Sequence, residues 1–235
     1  MIPLRDDQPC FSTPFVNYFL IALNVLVFMF ELSTAFQTRG QLNAFLYEFG
    51  VVPSYEISLL TGTPVFSPLG AFFPILTSMF LHASVAHVLG NMWVLWLFGD
   101  NIEDYLGHFR YLVFYLLSGV AATMTHIVLN PSSRIPSVGA SGAIAGVMGA
   151  YFILYPRARV LTWFPPIFLF HVPAWLVLGY WFLTQFMSGA VTSIAETSQT
   201  TGGIAFWAHV GGFVTGIVLI KLFPERPQRY RYGTW

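Results

Sequence analysis

Long apolar runs separated by short polar connections dominate the pattern along the chain. Six of these runs approach the roughly 20 residues that a helix needs to cross a hydrocarbon core of about 30 Å. They are Phe15 to Phe36, a stretch within Phe72 to Phe98 that we expect to be helical from about Ser84, Phe109 to Leu129, Gly139 to Leu154, Ile167 to Met187, and Ile204 to Phe223. The pattern predicts an all-α membrane protein with six transmembrane helices.

The connections predict one helical domain with short tails. Only residues 37–71, between the first two runs, form a long connection, and its apolar content predicts that it lies on the membrane surface. The sequence contains no repeat of 20 to 50 residues, so we expect a single membrane domain over residues 15–223, with tails at 1–14 and 224–235. The first apolar run lacks a small-residue cleavage signature and is therefore expected to be retained.

Composition and charge placement support this interpretation. The chain is 56% hydrophobic and only 9% charged, and its ten Lys and Arg balance ten Asp and Glu, which gives no indication of a nucleic-acid partner. If the N-terminus is cytoplasmic, only Arg39 and Arg134 lie outside. The other basic residues then lie inside: Arg5, Arg110, Arg157, Arg159, Lys221, Arg226, Arg229 and Arg231. Since basic loops stay cytoplasmic, both termini are predicted to be cytoplasmic.

The fourth run is too short to reach both membrane surfaces. From Ser141 to Tyr155 a helix would be only about 21 Å long. Arg157 and Arg159 fix its inner end at the cytoplasmic boundary, so its outer end should lie below the external surface. A helix end at that depth is tolerated only against protein or a water-filled cavity. Ser141 is therefore predicted to lie in a wet depression open to the outside.

A histidine of the last run is the best candidate base for this serine. His209 lies in AHVGGFVTG, where glycines recur at the spacing that brings helix backbones close together. The fourth run carries a matching stripe, so Gly142 and Gly146 are expected to face Gly212 and Gly216. This contact would place Ser141 beside His209, and a serine becomes a nucleophile only with a base within hydrogen-bond reach.

Three groups are candidates to stabilise an oxyanion. His87 and Asn91 are four residues apart and project from one helical face, and the N–H of Ser141 lies at a helix start, where backbone amides have no intrahelical partner. No carboxylate is well placed to orient His209. We therefore predict a Ser-His dyad in which packing of the sixth helix replaces the usual acid.

Each signal also has a simpler interpretation. The glycine stripe around Ser141 is typical of a helix packing seam, and His87 with Asn91 could join neighbouring helices. Glu31 is interpreted as a capping or water-facing group. His82 and His87 are five residues apart with no adjacent carboxylate, so no metal site is predicted. The convergence of four polar residues on one outer layer favours a catalytic site.

Several motifs together resemble the rhomboid intramembrane serine proteases. They are FLHASVAHVLGNMWVLWLFG, the following GDNIEDYLG, GASGAIAG and AHVGGFVTG. The resemblance extends from about Phe15 to Phe223. It implies that Ser141 is the nucleophile and His209 its base, that Asn91 and His87 bind the oxyanion with the Ser141 amide, and that His82, Gly139 and Gly142 support the site.

The resemblance also implies a fold and a substrate class. The fold would be a six-helix rhomboid bundle whose active site opens to the extracytoplasmic side of the bilayer. The substrates would be transmembrane segments bearing small, helix-destabilising residues. They would reach the site past the fifth helix and a cap loop at about Ser188 to Gly203. No cofactor or metal is implied.

The chain departs from the family pattern at the position beside the catalytic histidine, and three alternative functions are considered. Where the family commonly has an aromatic ring against the catalytic histidine, this chain has Ala145, and Phe206 or Trp207 are the expected substitutes. The main alternative is a non-catalytic rhomboid-like binding protein, although such relatives typically lack the serine or the histidine. A transporter would need more membrane-buried acids than Glu31. An aspartyl intramembrane protease is excluded because all the aspartates lie outside the predicted spans.

Overall fold

A computed structural model describes residues 1–37, 39–62, 68–194 and 205–226. The fold is mostly helical, with a small antiparallel sheet. Its elements in chain order are β1 (Ile2–Arg5), α1 (Phe15–Gln37), α2 (Arg39–Phe49), α3 (Pro53–Leu60), α4 (Pro68–Thr77), a 3-10 turn (Ser78–Phe80), α5 (Val85–Leu106), α6 (His108–Leu129), α7 (Ser141–Leu154), β2 (Arg159–Phe164), β3 (Phe168–Pro173), α8 (Ala174–Ile194) and α9 (Phe206–Leu219).

Within the described part of the chain, three helical segments are long and apolar enough to cross a membrane. They are Phe15–Thr34, His108–Leu129 and Ala174–Ser193. A fourth candidate is the pair Phe72–Phe80 and Val85–Leu106, which is bent by 84° at its break. The helices α7 and α9 are apolar but shorter. The chain is thus an integral membrane protein built mainly from helices.

The short helix α7 occupies the centre of the molecule. Its residues from Gly142 to Tyr151 are all buried, because α5, α6 and α9 pack around it. The small residues of α7 let its neighbours approach closely. The predicted fourth run and its short length are confirmed.

A side-chain cap explains where α5 begins. The Oγ of Ser84 accepts a hydrogen bond from the His87 N–H at 3.2 Å, which satisfies one of the free amides of the first turn. The expected helix start near Ser84 is therefore confirmed. The 84° bend at this point leaves His82 between two helical segments.

The prediction for the fifth run was wrong at its start, and the fold is not all-α. Residues from Ile167 to Pro173, which were expected to be helical, form the turn and β3 of a hairpin in which Arg159 pairs with Pro173 and Phe164 with Phe168. Pro165, Pro166 and Pro173 cannot donate to a helix, and β-branched and aromatic residues between them favour strands. The helix α8 begins only at Ala174.

The N-terminal residues pack against the helices. The strand β1 pairs antiparallel with β2, and the indole N–H of Trp93 on α5 donates to the Pro3 carbonyl at 2.7 Å. Further along, the Phe11 N–H donates to the Asp104 carboxylate at 3.0 Å, and the Tyr151 hydroxyl bonds to Asp6. Burial raises the pKa of the Asp6 carboxyl above its ordinary range. The sequence pattern gave no sign of these contacts.

Two other regions differ in detail from expectation. The helix α9 begins at Phe206 and ends at Leu219, four residues before the predicted end at Phe223, while the predicted start at Ile204 lies outside the described residues. The connection after α1 contains α2 and α3 and is tied to the loop before α7. The Ser137 N–H donates to the Val51 carbonyl at 2.7 Å, and the Val51 N–H donates to the Ser137 carbonyl at 3.1 Å.

Candidate active site

Two glycine stripes bring α7 and α9 into backbone contact. A Cβ added to Gly212 would overlap the Gly142 carbonyl oxygen, and one added to Gly216 would overlap the Gly146 carbonyl oxygen. Only glycine permits this approach. The predicted facing of the two stripes is therefore confirmed, and it fixes the positions of the polar residues at the N-terminal ends of both helices.

The seam places Ser141 and His209 within hydrogen-bond distance. The Ser141 Oγ lies 2.7 Å from His209 Nε2. Ser141 is the first residue of α7 and His209 lies in the first turn of α9. Both side chains are partly buried. A hydroxyl paired with an imidazole nitrogen at this distance has the geometry of a nucleophile and its general base.

The other ring nitrogen of His209 bonds to a residue that the sequence analysis missed. His209 Nδ1 lies 2.6 Å from Gln185 Oε1 on α8. The ring of Trp181, one turn earlier on α8, lies 5.6 Å from the imidazole, centroid to centroid. Gln185 and Trp181 are four residues apart on α8. This spacing, which places both on one face of the helix, was the only signal that the sequence offered.

The ring that lies beside His209 is thus that of Trp181, whereas Phe206 or Trp207 was expected there. Trp207 instead packs edge-on against Phe186 of α8 and donates its indole N–H to Ser193 at 3.0 Å. A ring from α8 lies beside His209, while Ala145 is buried in the core. The sequence could not identify Trp181, because the contact joins two helices whose relative rotation only the fold determines.

Gly139 lets His87 approach the candidate nucleophile. Its φ of 136° is rarely adopted by L-residues, and an added Cβ would lie only 2.8 Å from His87 Cε1 and 3.4 Å from Ser141 Oγ. The His87 ring and the Ser141 hydroxyl thus flank the same side of this glycine. The Gly139 N–H donates to the Ser78 carbonyl at 2.8 Å, which ties the loop to the 3-10 turn.

Asn91 is held by a chain of hydrogen bonds that begins on α1. Both carboxylate oxygens of Glu31 accept the His82 N–H at 3.1 Å, and Asn91 Nδ2 lies 3.0 Å from His82 Nε2. Glu31 is only 2% exposed, so it does not face water. It caps the backbone N–H of His82, which lies in the interruption between the 3-10 turn and α5. With His82 Nε2 as the acceptor of one Asn91 amide proton, the second proton has no partner among the residues that the structure describes.

A small, partly open cleft lies beside Ser141. Its volume is about 20 Å³, which is room for roughly one water molecule. Its walls include the Ser141 side chain and mostly small residues, among them Ser78, Gly119, Ala122, Gly142, Ala205 and Ala208. No group of three metal-ligating side chains occurs among the residues that the structure describes.

The chain is similar to known proteins over most of its length. The family model of the Rhomboid domain matches residues 69–226. The chain is 31% identical over 186 residues to the presenilin-associated rhomboid-like protein, mitochondrial, of Bos taurus, covering 74% of this chain and 45% of the relative. It is 30% identical over 148 residues to Rhomboid protein 1, mitochondrial, of Saccharomyces cerevisiae, covering 61% of this chain and 40% of the relative.

A plant relative extends the comparison. Rhomboid-like protein 11, chloroplastic, of Arabidopsis thaliana is 27% identical over 165 residues, covering 67% of this chain and 54% of the relative. The chain therefore spans about half the length, or less, of these curated relatives. The family model nevertheless covers most of the chain, including the motifs that carry Ser141 and His209. The similarity agrees with the resemblance found in the sequence, and the chain belongs to the rhomboid family.

Proposed function

We propose that this rhomboid protein is an intramembrane serine endopeptidase that cleaves transmembrane segments with Ser141 and His209. The observation that carries the proposal is the 2.7 Å approach of Ser141 Oγ to His209 Nε2 at the N-terminal ends of two short helices. Members of the family are generally intramembrane serine proteases. A packing seam alone would not require a hydroxyl and an imidazole at this position, because polar groups are costly in a membrane.

In the proposed reaction, Ser141 Oγ attacks a peptide carbonyl of a locally unwound substrate segment. His209 Nε2 takes the hydroxyl proton as the new C–O bond forms. The negative charge on the former carbonyl oxygen is met by the free Asn91 amide proton, the His87 ring and the Ser141 N–H. His209 then protonates the leaving amine, and water from the cleft hydrolyses the acyl-enzyme.

The proposed membrane arrangement completes this picture. Residues 15–223 form the membrane domain, in which α7 and α9 are the fourth and sixth of six spans. Both termini lie on the cytoplasmic side, and the cleft opens to the opposite side. Residues 37–71 lie on the outer surface. The expected cap loop, about Ser188 to Gly203, was wrong at its start, because α8 remains helical to Ile194. Residues 195–203 lie outside the described residues, so the loop's place in this arrangement rests on the family resemblance alone.

Cleavage of a synthetic transmembrane peptide by the purified protein in proteoliposomes tests the proposal. We expect wild-type protein to cut the peptide, and Ser141→Ala or His209→Ala to lower the rate by at least about a thousand-fold, because removing either member of such a pair disables the step. Ser33→Ala on α1 and His171→Ala on β3 are matched controls at exposed positions away from the site. Neither control should change the rate.

Two outcomes would contradict the proposal. Cleavage that persists in both Ser141→Ala and His209→Ala would remove the site assignment. No cleavage by any form, with the peptide still bound by wild-type protein, would favour a non-catalytic rhomboid-like binding protein.

A further inference from the structure

The base of the proposed pair is held at both ring nitrogens. His209 Nε2 lies 2.7 Å from Ser141 Oγ, and Nδ1 lies 2.6 Å from Gln185 Oε1. Both distances are short enough for well-formed hydrogen bonds. These two bonds fix the orientation of the imidazole between Gln185 on α8 and Ser141, the first residue of α7.

The orientation of the Gln185 amide decides which nitrogen of His209 carries the proton. Gln185 Nε2 lies 3.4 Å from Thr184 Oγ1, and that hydroxyl donates its own proton to the Trp181 carbonyl at 2.6 Å. The Thr184 oxygen can therefore accept from the Gln185 NH₂ group. This neighbour favours the orientation in which the amide oxygen of Gln185 faces His209.

The amide oxygen can only accept, so it selects the productive tautomer. Nδ1 must carry the hydrogen that it donates to Gln185, which leaves the Nε2 lone pair facing the Ser141 hydroxyl. With the amide reversed, Nδ1 would be the acceptor and Nε2 would carry a proton. An imidazole in that tautomer cannot accept the proton of Ser141.

We propose that Gln185 is the positioning residue of the Ser141–His209 pair, holding the imidazole in the Nδ1–H tautomer through its side-chain oxygen. This inference rests on the proposed function. During attack, the Ser141 proton moves to Nε2 while the bond from Oγ to the substrate carbon forms. The Nδ1 proton stays on the ring, bonded to Gln185, because an amide oxygen is not a base. The Nε2 proton then passes to the leaving nitrogen as the peptide bond breaks.

A neutral amide suits this position better than the carboxylate of soluble serine hydrolases. A carboxylate facing a neutral imidazole would be an unpaired charge in a partly buried membrane site, which is costly. Gln185 fixes the same tautomer without a net charge. Together with the Trp181 ring, it makes one face of α8 the support of His209, in a chain whose position four residues after Ser141 is the small Ala145.

A purely structural role for Gln185 makes different predictions from a positioning role. The same two helices are also joined by the Trp207 indole N–H, which donates to Ser193 on α8 at 3.0 Å. Ser193→Ala removes that bond without touching His209, and so serves as a matched control. If Gln185 only joins α8 to α9, its replacement and Ser193→Ala should have similar effects.

Kinetics of the full chain in proteoliposomes, with Gln185→Leu, Gln185→Glu and Ser193→Ala, test the inference. We expect Gln185→Leu to lower kcat about 100-fold, the lower end of what a positioned base contributes, with KM within about two-fold of wild type. Gln185→Glu, assayed at a pH at which its carboxyl is ionised, keeps an accepting oxygen at the same place and should recover at least about ten-fold of that loss. Ser193→Ala should leave kcat within about two-fold.

Nitrogen-15 NMR of the histidine rings supplies a readout that a structural role would not change. His209 of the wild type should show a protonated Nδ1 and an unprotonated Nε2, and Gln185→Leu should show a mixture of tautomers. If Gln185→Leu does not fold, Gln185→Asn, which withdraws the amide oxygen by one methylene, should give the same loss of kcat and of tautomer selection.

The inference about Gln185 and the proposed function fail in different ways. Wild-type kcat and a single His209 tautomer in Gln185→Leu or Gln185→Asn, with Ser141→Ala inactive, would overturn the role of Gln185 alone. Equal losses in Gln185→Leu and Ser193→Ala would also overturn it. Full activity in Ser141→Ala would instead overturn the proposed function on which the inference rests.

Discussion

At the scale of single residues, the free proton of the Asn91 amide is the group on which the proposed oxyanion stabilisation most depends. One amide proton is used by His82 Nε2 at 3.0 Å, and Glu31 fixes His82 in turn. Preorganised donors stabilise charge that develops only in the transition state. We therefore expect Asn91 to affect kcat far more than KM.

Replacing Asn91 by alanine should lower kcat about 100-fold and change KM little, because a donor to the developing oxyanion is lost. Steady-state kinetics on a transmembrane peptide measure both constants. Asn101→Ala is a matched control, because Asn101 is a buried asparagine on the same helix whose amide bonds to the Gln8 carbonyl. An unchanged kcat in Asn91→Ala would remove this residue from the oxyanion site.

A second residue, Glu56 on α3, lies outside the membrane spans. Its carboxyl should make the local stability of α3 depend on pH. Burial raises the pKa of Glu56 from an ordinary 4.5 to about 7. The protonated carboxyl is thus favoured in the folded state. Its stabilising effect is fully present below pH 4.5 and is lost as the pH rises through about 7.

Hydrogen exchange of the α3 amides, corrected for intrinsic rates, should show this loss. We expect protection to fall about ten-fold or more between pH 5 and pH 8, since each unit of pKa shift corresponds to about 1.4 kcal/mol. Glu56→Gln should make the profile flat, whereas Glu48→Gln at an exposed position of α2 should not. A pH-dependent profile that survives in Glu56→Gln would contradict the assignment.

At the scale of elements, the contact of α7 with α9 determines whether the candidate site exists. The Gly142–Gly212 and Gly146–Gly216 contacts leave no room for a Cβ. Larger side chains here must move one helix away from the other. Because Ser141 and His209 sit at the ends of these two helices, their separation follows from the seam.

Replacing Gly216 by leucine should therefore destabilise the protein, on the order of 3 kcal/mol, through overpacking at the seam. It should also abolish cleavage, although Gly216 contacts neither reacting group. Thermal unfolding and peptide cleavage measure the two effects. Val218→Leu, at a half-exposed position of the same helix, should change neither. A stable and fully active Gly216→Leu variant would mean that the seam does not position His209.

The elements also show what sequence patterns can and cannot predict in this chain. The glycine stripes, the short α7 and the start of α5 near Ser84 follow from local spacing and capping, so they were predicted correctly. The hairpin of β2 and β3 was missed because its apolar residues look like the start of a membrane helix when Pro165 and Pro166 are ignored. The pairing of β1 with β2 joins distant segments and leaves no local pattern.

The candidate site likewise has contacts that the sequence predicts and contacts that it does not. Ser141 and His209 belong to motifs with recognisable spacing, so their proximity was predictable. The contacts of His209 with Gln185 and Trp181 were not, because they depend on how α8 is rotated against α9. Side chains that act through another residue leave a weaker trace in a sequence than those that react.

At the scale of the whole molecule, the distribution of basic residues predicts the orientation in the membrane. Arg134 lies in the loop before α7, and Arg157 lies in the turn after it. With both termini cytoplasmic, Arg134 faces outward and Arg157 inward. Both residues are exposed and suit a labelling test.

Single cysteines at these two positions should react on opposite sides of the membrane. In intact cells, a membrane-impermeant maleimide should label Arg134→Cys but not Arg157→Cys, and lysis should expose the second. The native Cys10 is exposed and is replaced by serine in both variants, so that only the introduced cysteine can react. The reverse labelling pattern would invert the proposed topology.

The central claim is that the hydroxyl of Ser141 is a nucleophile activated by His209. Mass-spectrometric mapping of the folded protein after treatment with a fluorophosphonate tests this most directly, because the reagent bonds covalently to activated serines. We predict a single modified serine, Ser141, with no adduct in Ser141→Ala and a much slower reaction in His209→Ala. Modification of a different serine, or an unmodified Ser141 in protein that remains folded, would contradict the account.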